Sequence, residues 1–222
     1  MGTFKQGIFG PYKGRTGNVV GTFWKGKNVM KLRPATYSDS NTLPQQDQRM
    51  RFSLVNAFAV ANKELIRIGF SASVNAASPY NRAVKYNLKY AVAGEFPDLK
   101  LDLGLARISL GDLVNLKNPI LTASGERALK LDWTDNSGAG RAESTDNIFI
   151  SVMTEAGTEA FINDTVIKRG DKTAIIHLPE TWSGRTVVVI GFTTAEKVFV
   201  KAKNKSQISS SELYGRVELH FI

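Results

Sequence analysis

Only two histidines, His177 and His220, and no cysteine stand among the 222 residues. Thiolate nucleophiles, disulfides and Cys-ligated zinc therefore lie outside the chemistry open to this chain. Both histidines fall inside strand-like runs, "IIHLP" and "ELHFI", where a sheet position explains them more simply than a base or a metal ligand. "LDWTDNSGAG" sets Asp132 and Asp135 beside Trp133, residue types that serve sugar and calcium sites. A calcium loop spaces several oxygens regularly and closes on Glu. Here Asn136, Ser137 and Gly138 follow instead, so the stretch reads as a strand ending in a turn. Trp133 is then expected in a core, and Trp182 of "PETWSG" packed against a turn. "GPYKGRTG" imitates a phosphate loop at Gly14-Arg15-Thr16. The glycine such a loop needs five residues before Gly14 is Phe9, and Arg15 stands where lysine is wanted. With no Gly-x-Ser-x-Gly elbow either, the expectation is a protein that is not an enzyme, with no metal and no cofactor.

Charge is the feature that survives. Residues 1–38 carry Lys5, Lys13, Arg15, Lys25, Lys27, Lys31 and Arg33 and no acidic side chain. Residues 1–100 hold 15 Lys/Arg against 5 Asp/Glu, a balance of +10, while residues 101–222 hold 14 against 15, a balance of −1. Polarised charge of this kind speaks of partners and not of fold. The expected contact surface joins the basic arm to Lys25, Lys27, Lys31 and Arg33, with Arg49 and Arg51 from the following helix, as a strip for phosphates or an acidic protein. Phe23 and Trp24 could stack on bases, but packing on the helices is the expected role. The competing reading is a solvated face whose lysines guard a strand edge against aggregation.

The elements that would carry these side chains follow from the pattern. Residues 1–18 are glycine-rich and read as an arm or looped lead-in. Val19–Trp24 and Asn28–Arg33 read as a hairpin around "KGKN", with Gly26 free to take a positive φ and Pro34 ending the pairing. Val20, Thr22 and Trp24 should oppose Val19, Gly21 and Phe23, and Val29, Lys31 and Arg33 should oppose Met30 and Leu32. A helix is expected from Thr42 and Pro44 to Ile68, and a second after the Ser78-Pro79 start, closed by Gly94. Beyond residue 100, "RALKLDW", "NIFISVM", "TAIIHL", "RTVVVIGF", "KVFVKA" and "GRVELHFI" are short strands broken by turns. The expected fold class is α+β. Residues 1–99 would form a basic arm, β-hairpin and two-helix module, and residues 100–222 a C-terminal antiparallel β-sandwich of Ig-like, Greek-key type. The opening residues lack the apolar run of a secretory signal, and no stretch is long enough to span a membrane, so a cytoplasmic product is expected.

"GNVVGTFWKGKNVMKLRP", "PQQDQRMRF", "NRAVKYNLKYAVAG", "ISLGDL", "LDWTDNSGAG" and "SELYG" together resemble an uncharacterised family of about this length from Bacteroidota. That family is a domain of unknown function, so the resemblance implies no catalytic residues. Thr42, Gln45, Gln46, Arg49 and Phe52, spaced Thr-x-x-Gln-Gln-x-x-Arg-x-x-Phe, are similar to stretches in bacteriophage- and prophage-associated proteins. The functional expectation is a structural or assembly protein, virion-like, that meets other copies of itself or nucleic acid through its basic opening segment. A monomeric nucleic-acid-binding protein and a carbohydrate-binding sandwich are the alternatives.

Overall fold

The computed structural model describes residues 3–4, 10–36, 39–72, 77–125, 127–182, 184–196 and 207–219. Its chain forms two compact units, Met1–Thr42 and Leu43–Ile222. The boundary between these units falls after Thr42, and the helices share a core with the strands that follow them.

The first unit is a four-stranded antiparallel meander in the order β1 (Thr3–Phe4), β2 (Tyr12–Thr16), β3 (Val19–Trp24), β4 (Lys27–Leu32). The hairpin of β3 and β4 is as expected. The glycine-rich lead-in differs: within it β1 and β2 are paired strands, and β2 aligns Gly14 with Gly21 and Arg15 with Val20. Lys25 and Gly26 link β3 to β4 with φ of 47° and 80°. Positive φ at both central residues gives the turn a twist that matches a two-stranded ribbon.

The second unit opens with three helices: α1 (Leu43–Ala61), α2 (Lys63–Gly69) and α3 (Pro79–Tyr90). α3 starts as its sequence directs, with the Ser78 hydroxyl accepting from the Asn81 N–H at 3.2 Å and Pro79 in the first turn. The single helix expected to run to Ile68 is instead broken at Asn62. That side chain is fully buried, donates back to the Phe58 carbonyl at 3.0 Å, and accepts from the Ser151 hydroxyl. A side-chain bond to the backbone one turn earlier, joined to a partner on a strand, is a known way to interrupt a helix.

Strands then follow in number: β5 (Val92–Ala93), β6 (Lys100–Leu101), β7 (Lys117–Ala123), β8 (Ala128–Thr134), β9 (Asn147–Thr154), β10 (Ala160–Ile162), β11 (Ile167–Lys168), β12 (Thr173–His177), β13 (Thr186–Thr194) and β14 (Glu212–Glu218). β5 and β6 pair with each other. One antiparallel sheet runs β10-β9-β13-β14, with β11 also on β9, and another runs β12-β8-β7. β13 explains its own sequence. Val187 and Val189 join a core with Leu129, Leu131, Trp133 and Ile176 of the three-stranded sheet. Val188, Ile190 and Phe192 join a second core with Val55, Phe58, Leu65 and Ile66 of the helices. Both faces of the strand are covered, so "TVVVIGF" is apolar without alternation. "KVFVKA" and His220 lie outside the described residues.

Candidate nucleic-acid interface

Register decides which side chains of the first unit share a face, because residues opposite one another across a ladder point the same way. Val20 lies opposite Arg15 on one side and Lys31 on the other, and Trp24 lies opposite Lys27. The Arg33 N–H donates to the Asn18 carbonyl at 2.8 Å, extending the β3–β4 ladder by one residue. Alternation then assigns Lys13, Arg15, Lys27, Lys31 and Arg33 to one face, together with Val20, Thr22, Trp24 and Val29. The other face carries Tyr12, Gly14, Thr16, Val19, Gly21, Phe23, Asn28, Met30 and Leu32. No charged residue falls on it among the described strands. The sheet has one cationic face and one apolar face.

The cations of that face are exposed, and no ion pair among the described residues involves them. Arg15 donates from Nε to the Gly17 carbonyl at 3.1 Å, which holds the guanidinium stem along the β2–β3 turn. Lys25, in the turn, sets its ammonium 5.0 Å from the centroid of the Trp24 ring, a cation–π contact at an exposed site. Phe23 and Trp24 are 64% and 63% exposed. Lys5 lies outside the described residues.

Arg49 and Arg51 belong to the second unit, on α1. Arg51 Nε lies 2.9 and 3.0 Å from the two carboxylate oxygens of Asp47, one turn earlier, so its charge is matched within the helix. Arg49 is exposed.

The residues that suggested a sugar or calcium site do not converge. Trp133 is buried and donates from Nε1 to the Arg169 carbonyl at 2.8 Å. Asp132 pairs with Lys130 at 2.8 Å, and the hydrogen bond from that ammonium holds its carboxyl below the usual range. The Asp135 carboxyl is lowered by the Ser137 backbone N–H, which it accepts at 2.9 Å, and by the Ser137 side chain. Trp182 is buried in a short 3-10 turn, as expected. His177 ends β12 exposed. Among the described residues no three His, Cys, Asp or Glu side chains are placed to hold a metal ion.

One buried cluster was invisible in the sequence. Arg169 is fully buried, and each of its five N–H groups has an acceptor: Asp146 Oδ2 at 3.1 Å, the Asn115 carbonyl at 3.2 Å, Asn136 Oδ1, the Val114 carbonyl at 2.7 Å and Thr193 Oγ1 at 3.1 Å. Asn115 in turn accepts from the Tyr214 hydroxyl at 2.9 Å, and burial pushes that phenol well up. A saturated guanidinium locks the loops that bring Asn115, Asn136 and Asp146 together. It offers no donor to a ligand.

The molecule these observations define is a mixed α/β chain, with a two-faced basic sheet ahead of a body of helices and antiparallel sheets. It belongs to the family of unknown function DUF6266, whose model matches residues 11–207. The match takes in β2, β3 and β4 as well as most of the second unit. No curated protein matches the sequence. Among solved structures, part of the chain is similar to a beta-1,2-glucanase from Parabacteroides distasonis, at 18% identity and a TM-score of 0.28. That likeness covers 48% of this chain and 14% of the glucanase, and nothing about fold or activity is drawn from it.

Proposed function

We propose that the protein is a non-enzymatic binding and assembly protein whose N-terminal sheet lays its cationic face on a nucleic-acid backbone. The second unit is the body that carries this sheet, and we read its two facing sheets as an antiparallel sandwich of Ig-like, Greek-key type. One observation supports the binding reading above the others. The cations of β2 and β4 and of the Arg33 extension are on a single face, exposed, with no carboxylate among residues 1–38 to balance them. A merely solvated sheet would gain by scattering its charges, because like charges side by side on one face repel. A phosphate polymer turns that repulsion into attraction and releases its own counterions. Trp24, exposed on the same face, supplies a ring on which a base can stack. Nothing on the face encodes base order, so the contact is independent of sequence.

The test compares the full chain with a Lys13→Gln/Arg15→Gln/Lys27→Gln/Lys31→Gln variant, using fluorescence anisotropy of labelled single- and double-stranded DNA at low salt. The variant should bind roughly tenfold or more weakly. Arg51→Gln should change affinity little, because Asp47 already holds that charge. Equal binding by the quadruple variant would reject the proposal.

A further inference from the structure

The opposite face of the same sheet has no assigned role. Phe23, Met30 and Leu32 project from it at 64%, 68% and 75% exposure, beside the half-buried Tyr12 and Val19. At its centre Gly21 leaves room for Tyr12. A Cβ on Gly21 would come within 2.8 Å of three Tyr12 atoms, one of them the backbone carbonyl oxygen. The face is thus filled from within its own sheet, and among the described residues of this unit no second layer covers its outer apolar side chains. A lone layer of strands with one bare apolar face is an incomplete fold, since such faces are buried against a second layer.

We infer that this face is a self-association surface, on which a second copy of the chain docks its own N-terminal sheet, apolar face to apolar face. Three observations select another copy as the occupant. First, among the described strands the face holds no charge, so it offers nothing to orient an acidic or basic partner. It is complementary to itself. Second, the cations are on the far side. Two sheets stacked about 10 Å apart keep both cationic faces outward, separated by more than the roughly 8 Å over which charges are screened at physiological salt. A lipid surface fits poorly, because anionic membranes draw cations and apolar side chains from the same side. Third, the area suits a pair. The five apolar side chains present on the order of 500 Å² per copy, the upper part of the range for patches on single proteins. Two such faces bury about 1,000 Å², near the lower bound for a specific interface. The dimer is accordingly concentration-dependent.

The test needs no nucleic acid, so its outcome is separate from that of the binding proposal. Sedimentation equilibrium of the full chain should show the mass rising from 24.4 kDa toward twice that value with concentration. Phe23→Ser/Met30→Thr should hold it at the monomer mass, and Lys27→Gln/Lys31→Gln should leave the dimer intact. Because the natural chain has no cysteine, a second measurement stands apart from stability. Single variants Met30→Cys and Lys31→Cys sit on opposite faces of β4. Under mild oxidation Met30→Cys should form the intermolecular disulfide at least tenfold faster. A wild-type chain that remains monomeric at every concentration, a dimer untouched by the apolar substitutions, or equal crosslinking from both faces would each overturn the inference.

Discussion

Arg169 shows what one residue can be asked to do. Its charge is fully buried, and among the described residues Asp146, also buried, is the one carboxylate paired with it. Burial raises the Asp146 carboxyl, while the Glu143 N–H and Arg169 act the other way. Such a pair contributes little net stability relative to apolar replacements, yet removing one partner leaves an uncompensated charge in the interior. Arg169→Met should therefore cost about 3–5 kcal/mol in urea-induced unfolding. Replacing Asp146 by Leu in the same chain should restore part of that loss, because the stranded carboxylate is then gone. A loss below about 1 kcal/mol would mean that water reaches the site and the network is dispensable. Nothing in the local sequence announces this hub. Arg169, Asp146, Asn115 and Asn136 lie far apart along the chain, and no local period links them.

At the scale of elements, the first unit depends on how closely β2 approaches β3. Any side chain at Gly21 meets the Tyr12 ring and carbonyl. Gly21→Ala should therefore loosen β2 from β3, raising amide exchange of Val19–Trp24 by roughly tenfold or more. The amides of β13 should keep their protection, because that strand belongs to the other compact unit. Unchanged exchange in β3 would show that the close approach is not a constraint. The turn residues, alternation in β3 and β4, and short apolar runs between turns made β3, β4, α3 and the strands β8, β9, β12 and β13 legible in the sequence. Other elements were not, β2 and the break at Asn62 among them. β2 hid among Gly10, Gly14 and Gly17, where glycine suggests an arm; its cross-strand partner Gly21 supplies the reason. The break at Asn62 hid because its cause, Ser151, is 89 residues away. The two faces of the first sheet were half legible. Alternation sorted β3 and β4, but only the register of Val20 against Lys31 and of Gly21 against Met30 aligned cations with cations and apolar side chains with apolar.

For the whole molecule, the charge balance of +10 in the first hundred residues becomes a surface with a direction. Arg51 is paired with Asp47, while Lys13 and Arg15, expected in the contact surface as part of an arm, are carried on a strand that the sequence disguised. Under the proposed function, binding through such a face is electrostatic, carries no base specificity and depends on salt. Lys13, Arg15, Lys27, Lys31 and Arg33, with Lys25 at the turn, allow about four to six phosphate contacts. The most direct measurement is the affinity of the full chain for a DNA duplex across a salt series from about 50 to 200 mM. The account predicts a straight line of log K against log salt with slope near −4 to −5, a loss of roughly 10²–10³-fold over that range. A slope near zero, or no binding at the low-salt end, would contradict it.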